Sequence, residues 1–177
     1  MGKAGAAGLA LLLAAACRGH AAPPLPLRLE PETQVTLPQR ESTGALTRAE
    51  RDSLLSGVAA RRAAWRARHI SDYQIEIAVG CFCPWPSHPA ILEVRNGVAV
   101  ALRDTLGKTM GKPREPWSLY SVERLFDAVE QGARRDDVIE VAYDPRYDYP
   151  AQIRGDLKVG LPDDWFWVKA SRLTPVR

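Results

Sequence analysis

A chain of 177 residues with 46% hydrophobic and 25% charged residues has the makeup of one globular domain large enough to bury a core. Its net charge of +3 is too small to argue for a nucleic-acid partner, and no arginine-glycine tract or interleaved basic-aromatic stripe supports one. No phosphate-binding glycine loop, HExxH or GxSxG stands anywhere in it, so the familiar nucleotide, zinc-protease and serine-hydrolase chemistries find no foothold.

The first element is a leader. Lys3 precedes a run of small or apolar residues, Ala4 to Ala16, which ends on Cys17 and the polar Arg18-Gly19-His20. The run falls well short of the ~20 residues that span a bilayer, and its basic start and small-residue exit fit an export signal. Leu13-Ala14-Ala15-Ala16-Cys17 resembles a bacterial lipobox, departing from it at Ala14, where leucine is usual. The resemblance implies that residues 1–16 are a lipoprotein-type signal peptide and that Cys17 takes the lipid. The expected location is the cell envelope, lipid-anchored and facing the periplasm or outside.

Residues 17–45 read as a proline-rich tether. Pro23, Pro24, Pro26, Pro31 and Pro38 block helix, while Thr33, Thr36, Ser42, Thr43 and Gly44 add loop character. A single α+β domain is expected over 46–177. It opens with a helix from about Ala49 to Arg68, started by the capping box Thr47-Arg48-Ala49-Glu50. Leu54, Leu55, Val58 and Trp65 form its apolar stripe. Arg48, Arg51, Arg61, Arg62, Arg66 and Arg68 crowd the opposite surface against Glu50 and Asp52. That surface is read as a solvated face, in preference to a membrane-facing one.

From residue 71 the period changes to that of strands. Tyr73, Ile75, Ile77 and Val79 alternate with Asp72, Gln74, Glu76 and Ala78, the pattern of a sheet covered on one face. After a proline-rich loop at 84–89, residues 90–103 read as a hairpin. A three-residue Arg95-Asn96-Gly97 loop would pair Val94 with Val98 and Leu92 with Val100, putting Leu92, Val94, Val98, Val100 and Leu102 on one face, so this register is preferred to a two-residue turn. Residues 104–117 read as irregular. Val122, Leu125, Phe126 and Val129 then mark a second helix from Val122 to Ala133, with Ser121 at its N-cap. Three strands follow: one through Ile139, Val141 and Tyr143, a return from Tyr149 to Arg154, and one in which Phe166, Val168 and Ala170 alternate with Trp165, Trp167 and Lys169. The expected fold is α+β, a single curved antiparallel sheet of about six strands in the order α-βββ-α-βββ, with helices packed on one face.

Trp65, Asp72-Tyr73, Cys81-Phe82-Cys83-Pro84, the hairpin around Asn96-Gly97, Leu125-Phe126-Asp127, Val141-Ala142-Tyr143-Asp144-Pro145, Tyr149-Pro150, Ile153 and Asp156 form a series. In that series the chain resembles a family of bacterial exported and lipoprotein domains known as domain of unknown function 6174, over roughly residues 60 to 175. The family tends to have glycine just before the Tyr-Pro, where this chain has Asp148, a residue that tolerates a left-handed turn. The resemblance implies a shared fold and compartment, and no activity.

Two constellations are candidate sites. Cys81 and Cys83 are the two cysteines outside the leader, and residues i and i+2 of a strand share a face. Three readings of the pair stand: a disulfide strap ending the strand, a redox-exchanging disulfide, and metal capture with His69, His88 or His20. Tyr147, Tyr149, Trp165 and Trp167 are a candidate binding patch for an envelope protein or glycan, with packing beneath the first helix as the competing reading. No residue is assigned to catalysis, to a cofactor or to a metal site. The expected function is a non-enzymatic envelope domain that binds or braces another component, held to the membrane by its N-terminal lipid. The alternative is a thiol-disulfide or metal-binding protein acting through Cys81 and Cys83.

Overall fold

The computed structural model describes residues 25–38, 44–81, 88–113, 117, 120–159 and 164–176. The elements run α1 (Arg48–Ala67), β1 (Tyr73–Cys81), β2 (Ala90–Arg95), β3 (Val98–Asp104), β4 (Thr109–Gly111), α2 (Val122–Arg135), β5 (Val138–Tyr143), β6 (Pro150–Asp156) and β7 (Trp165–Pro175). One antiparallel sheet of seven strands has the order β4-β3-β2-β1-β7-β6-β5. The α+β class and the single antiparallel sheet agree with the sequence reading. The added strand is β4, whose three exposed residues carry no apolar alternation by which the sequence could announce it.

Each half of the sheet is a meander, as short turns require. The halves join where β7, the last strand, lies beside β1, the first. Tyr73, Ile75, Ile77 and Val79 of β1 point into the core with Leu92 and Val94 of β2, Ile139 and Val141 of β5, Ile153 of β6, and Val168 and Ala170 of β7. α2 lays Val122, Leu125, Phe126, Val129 and Ala133 into the same core, and α1 adds Val58 and Trp65. Burial of each such large apolar side chain contributes roughly 1.5–3 kcal/mol.

The hairpin register differs from the expected one. Arg95 pairs with Val98 across a two-residue Asn96-Gly97 turn, with φ of 50° and 73° as the twist-matched hairpin turn needs. An irregularity after the turn then shifts the pairing, so that Val94 faces Ala99 while Leu92 faces Leu102. Val98 and Val100 are consequently exposed, and only Leu92, Val94 and Leu102 of the five apolar residues reach the core. A bulge re-aims side chains where a longer loop was expected to.

Three elements meet at one polar contact at the edge of this apolar core. The Tyr73 hydroxyl donates to Glu123 Oε2 at 3.0 Å and accepts from the Val122 backbone N–H at 2.7 Å. Trp65 Nε1 donates to the other Glu123 oxygen at 3.2 Å, and the Trp65 ring meets Tyr73 edge to face. Ser121 occupies the N-cap position, but its side chain makes no capping bond, and the hydroxyl that serves the first turn of α2 comes from β1 instead. Glu123, in that first turn, sits where the helix dipole favours a negative charge. Burial, reinforced by the neighbouring Glu123 charge, pushes the Tyr73 phenol well above its ordinary value, so it stays a donor.

Tyr73→Phe strands the Val122 N–H and one Glu123 oxygen while leaving the ring in place. It should lower unfolding stability by about 1–3 kcal/mol, seen as a reduced urea midpoint with an unchanged slope.

Candidate functional site

The face of the sheet turned away from the helices carries polar residues that look solvent-facing in the sequence, yet Gln74 and Glu93 are only 1% and 3% exposed. Extended residues 25–38, from the segment read as a tether, lie across them. The Leu25 N–H donates to Glu93 Oε2 (3.2 Å), and Arg103 Nη2 donates to the Leu25 carbonyl. Gln74 exchanges two bonds with this strap, accepting from the Arg28 N–H (2.8 Å) and donating to the Pro26 carbonyl (3.0 Å). Further along, Glu30 meets β7 through its N–H on Thr174 Oγ1 (2.7 Å), and its carboxylate takes Arg146 and the Tyr147 hydroxyl. Glu32 pairs with Lys169, and Gln152 donates to the Val35 carbonyl at 2.9 Å. The strap thus travels from β2 and β3 across β1 and β7 to β6. Prolines suit it, because an extended segment that hydrogen-bonds to side chains can spare its own N–H groups.

Beside Leu37 of the strap lies a groove of about 560 Å³, whose walls also include Gln152, Arg154, Trp165, Trp167 and Lys169. Trp165 and Trp167 are 43% and 38% exposed, on the face opposite the buried Val168. Register sets the polar neighbours: Arg154 lies opposite Trp167 and Gln152 opposite Lys169. Gly80 of β1 is also opposite Trp167, and a Cβ there would fall 2.1 Å from the indole Nε1. The Trp167 ring therefore lies flat across Gly80, where only a missing side chain admits it. The result is an aromatic floor with cationic and amide side chains beside it.

Tyr147 and Tyr149 do not join that patch. Tyr149 is 1% exposed and packs edge-on against Trp65 in the core, where burial first and the Asp144 charge second push its phenol well up. The competing packing reading is the one that holds for it. Tyr147 is half-buried, bonded to Glu30 at 3.2 Å, with the Arg146 guanidinium over its ring at 4.9 Å. Of the four aromatics, only Trp165 and Trp167 share a surface. Cys81 ends β1 opposite Phe166 and packs against the core. Cys83 and Cys17 lie outside the described residues. Among the described residues no group of three or more His, Cys, Asp or Glu side chains converges to hold a metal ion.

The basic surface of α1 is mostly engaged, and not simply solvated. Arg51 donates to the Ala133 carbonyl (2.8 Å), Arg62 pairs with Asp127 and Glu130, and Arg61 and Arg68 both take Asp148. Asp148 has the left-handed φ of 65° that its place before Tyr149-Pro150 demands. The carboxylate there does what a glycine could not, by joining the β5–β6 turn to α1. The Arg68 guanidinium, 2.7 Å away, holds the Asp148 carboxyl below its ordinary range, with Arg61 assisting. A second cleft, of about 600 Å³, lies beside this helix between Arg66, His69, Asn96 and the Glu123 junction.

The model of a family of unknown function, DUF6174, matches residues 57–175. No curated protein and no solved structure matches the chain.

Two outcomes follow from these contacts. Because the Asp148 pKa is depressed on folding, its stabilisation is present above the ordinary aspartate value of about 3.9 and is lost as pH falls through the lower native value. The double variant Arg61→Ala/Arg68→Ala should therefore show a shallower loss of stability between about pH 4 and pH 2, read by urea unfolding at each pH. Separately, Gly80→Ala should expel the Trp167 ring from its seat. A change in tryptophan fluorescence with little change in far-ultraviolet circular dichroism is the expected signature.

Proposed function

Because the chain belongs to this family of unknown function, DUF6174, its role has to be read from its own surface, and we propose that it is an exported, lipid-anchored envelope domain that binds another envelope component without catalysing a reaction. The leader ending at Cys17 supports the compartment and the anchor. The observation that carries the binding role is the groove floored by Trp165 and Trp167, two large rings 43% and 38% exposed. Exposed aromatics beside cationic side chains are the composition of an interface centre.

The occupant that fits is an extended, acidic or proline-containing segment of an envelope protein. The same face already holds such a segment, since residues 25–38 lie there extended, with Glu30 and Glu32 on Arg146 and Lys169. The groove prolongs that track and offers Arg154, which has no salt-bridge partner among the described residues. Aromatic-lined grooves that accept extended proline-rich chain are a recurring recognition mode. A glycan stacked on the two indoles is the outcome that would replace this reading.

A photo-crosslinking residue at position 165 in the mature protein should give a discrete adduct in cells, degraded by protease and not by glycosidase. Trp167→Ala with Arg154→Ala should reduce it at least tenfold while thermal unfolding shifts little, because both side chains are exposed. Adducts unchanged by these substitutions would count against the groove, and an intact mass without lipid on Cys17 would count against the anchor.

A second reading runs through Cys81 and Cys83 as a thiol-disulfide or metal-binding pair, supported by their two-residue spacing at the end of β1. Two thiols that stay blocked until strong reductant is added would end its redox form, and metal-free protein by elemental analysis would end the other.

A further inference from the structure

We infer that the tip of the β3–β4 hairpin seats on an anionic bilayer surface, giving the domain a second membrane contact beside its lipid; the inference rests on the lipid-anchor reading above. Leu106, in this turn, is 91% exposed and Met110, on β4, is 55% exposed. Lys108 and Lys112 flank them, both exposed. The strap's Leu27 lies against the same turn, with its Cδ2 3.1 Å from where a Gly107 Cβ would stand, and so extends the apolar surface.

The turn is built and not loose. Asp104 Oδ1 accepts from the N–H groups of Leu106 (3.0 Å) and Lys108 (2.8 Å), and the Gly107 N–H donates to the Asp104 carbonyl at 3.0 Å. Gly107 supplies the left-handed φ of 87° that closes it. The fold thus spends a rigid turn on projecting a leucine into solvent, with no described residue packed over it. Apolar tips flanked by lysine match an interface whose lipid tails take the first and whose anionic headgroups take the second.

Chain length places this tip next to the membrane. Leu25 is fixed to β2 and β3 by Glu93 and Arg103. From Cys17 to Leu25 the chain advances eight residues, which reach at most about 28 Å when fully extended. The strap's point of entry, beside the tip, is therefore the part of the body nearest the lipid. The competing basic surface, on α1, has Arg51, Arg61, Arg62 and Arg68 committed to protein partners.

The chain offers its own probe, since Met1 and Met110 are its two methionines and Met1 leaves with the leader. The lipidated mature protein, methyl-labelled at methionine, is placed in nanodiscs of mixed phosphatidylglycerol and phosphatidylcholine carrying a headgroup spin label. The Met110 signal should broaden at least fivefold relative to the lipid-free Cys17→Ser chain in solution. Lys108→Glu/Lys112→Glu, or high salt, should restore most of the sharp signal, since exposed charge contacts are screened. A Met110 signal that stays sharp on lipidated protein, or broadens equally in the charge-reversed variant, would overturn the tip contact alone. Broadening that follows protein concentration in the absence of lipid would assign the tip to a second copy instead. An intact mass with Cys17 unmodified would remove the anchor reading, a failure distinguishable from that of the tip.

Discussion

The fold turns on one buried hydroxyl. Tyr73 stands at the start of the first strand, and its oxygen joins the N-terminus of α2 to the Glu123 carboxylate that also receives the Trp65 indole. The buried Tyr73 hydroxyl and the buried Val122 N–H satisfy each other, and the half-buried Glu123 carboxylate accepts from the hydroxyl. The contact fixes the rotation of α1 and the starting point of α2 against β1. Without it, an amphipathic helix could slide or turn on an apolar sheet at little cost, because hydrophobic contact alone is not directional.

The opposite face follows a different rule. Its residues are polar, and a polar face normally stays in water. Here Gln74, Glu93 and Arg103 are buried under an extended segment that returns the hydrogen bonds they would otherwise make with solvent. The sheet is therefore covered on both sides for most of its width by different means: apolar packing under the helices, hydrogen bonds and ion pairs under the strap. A bulge in β7 belongs to this second layer. Arg172, with a left-handed φ of 56°, bonds the Glu30 carbonyl and Glu76 from that position. The Trp165 and Trp167 groove lies beside Leu37, near the end of the described strap.

Much of the core was legible because burial leaves a period. The alternation from Tyr73 to Val79 and the stripe from Val122 to Val129 fall where the core lies, and the Thr47–Glu50 box closes as its spacing predicts. The hairpin misled because apolar count alone favoured one register, while the positive φ available to Asn96 and Gly97 fixed another and a bulge absorbed the difference. The strap was illegible for a deeper reason. Pro26, Glu30 and Glu32 look like any solvated linker, and nothing local says that Arg28 meets Gln74 across 46 positions of chain. Tyr149 shows the same limit, since an aromatic at a strand start reads alike whether it faces Trp65 or water. Trp165 and Trp167 were separable by alternation from Val168, which placed them on a shared face but could not say what else would cover it.

The order of the strands also governs when this polypeptide can become a protein. β7 is the last of the described strands and lies inside the sheet, bridging β1 to β6. The β1–β4 meander meets the β5–β6 pair only through β7, and contacts of such long sequence separation close slowly. Synthesis must pass β7 before the body can lock. Until that strand is in place the two strand sets stay unjoined and the body stays pliable.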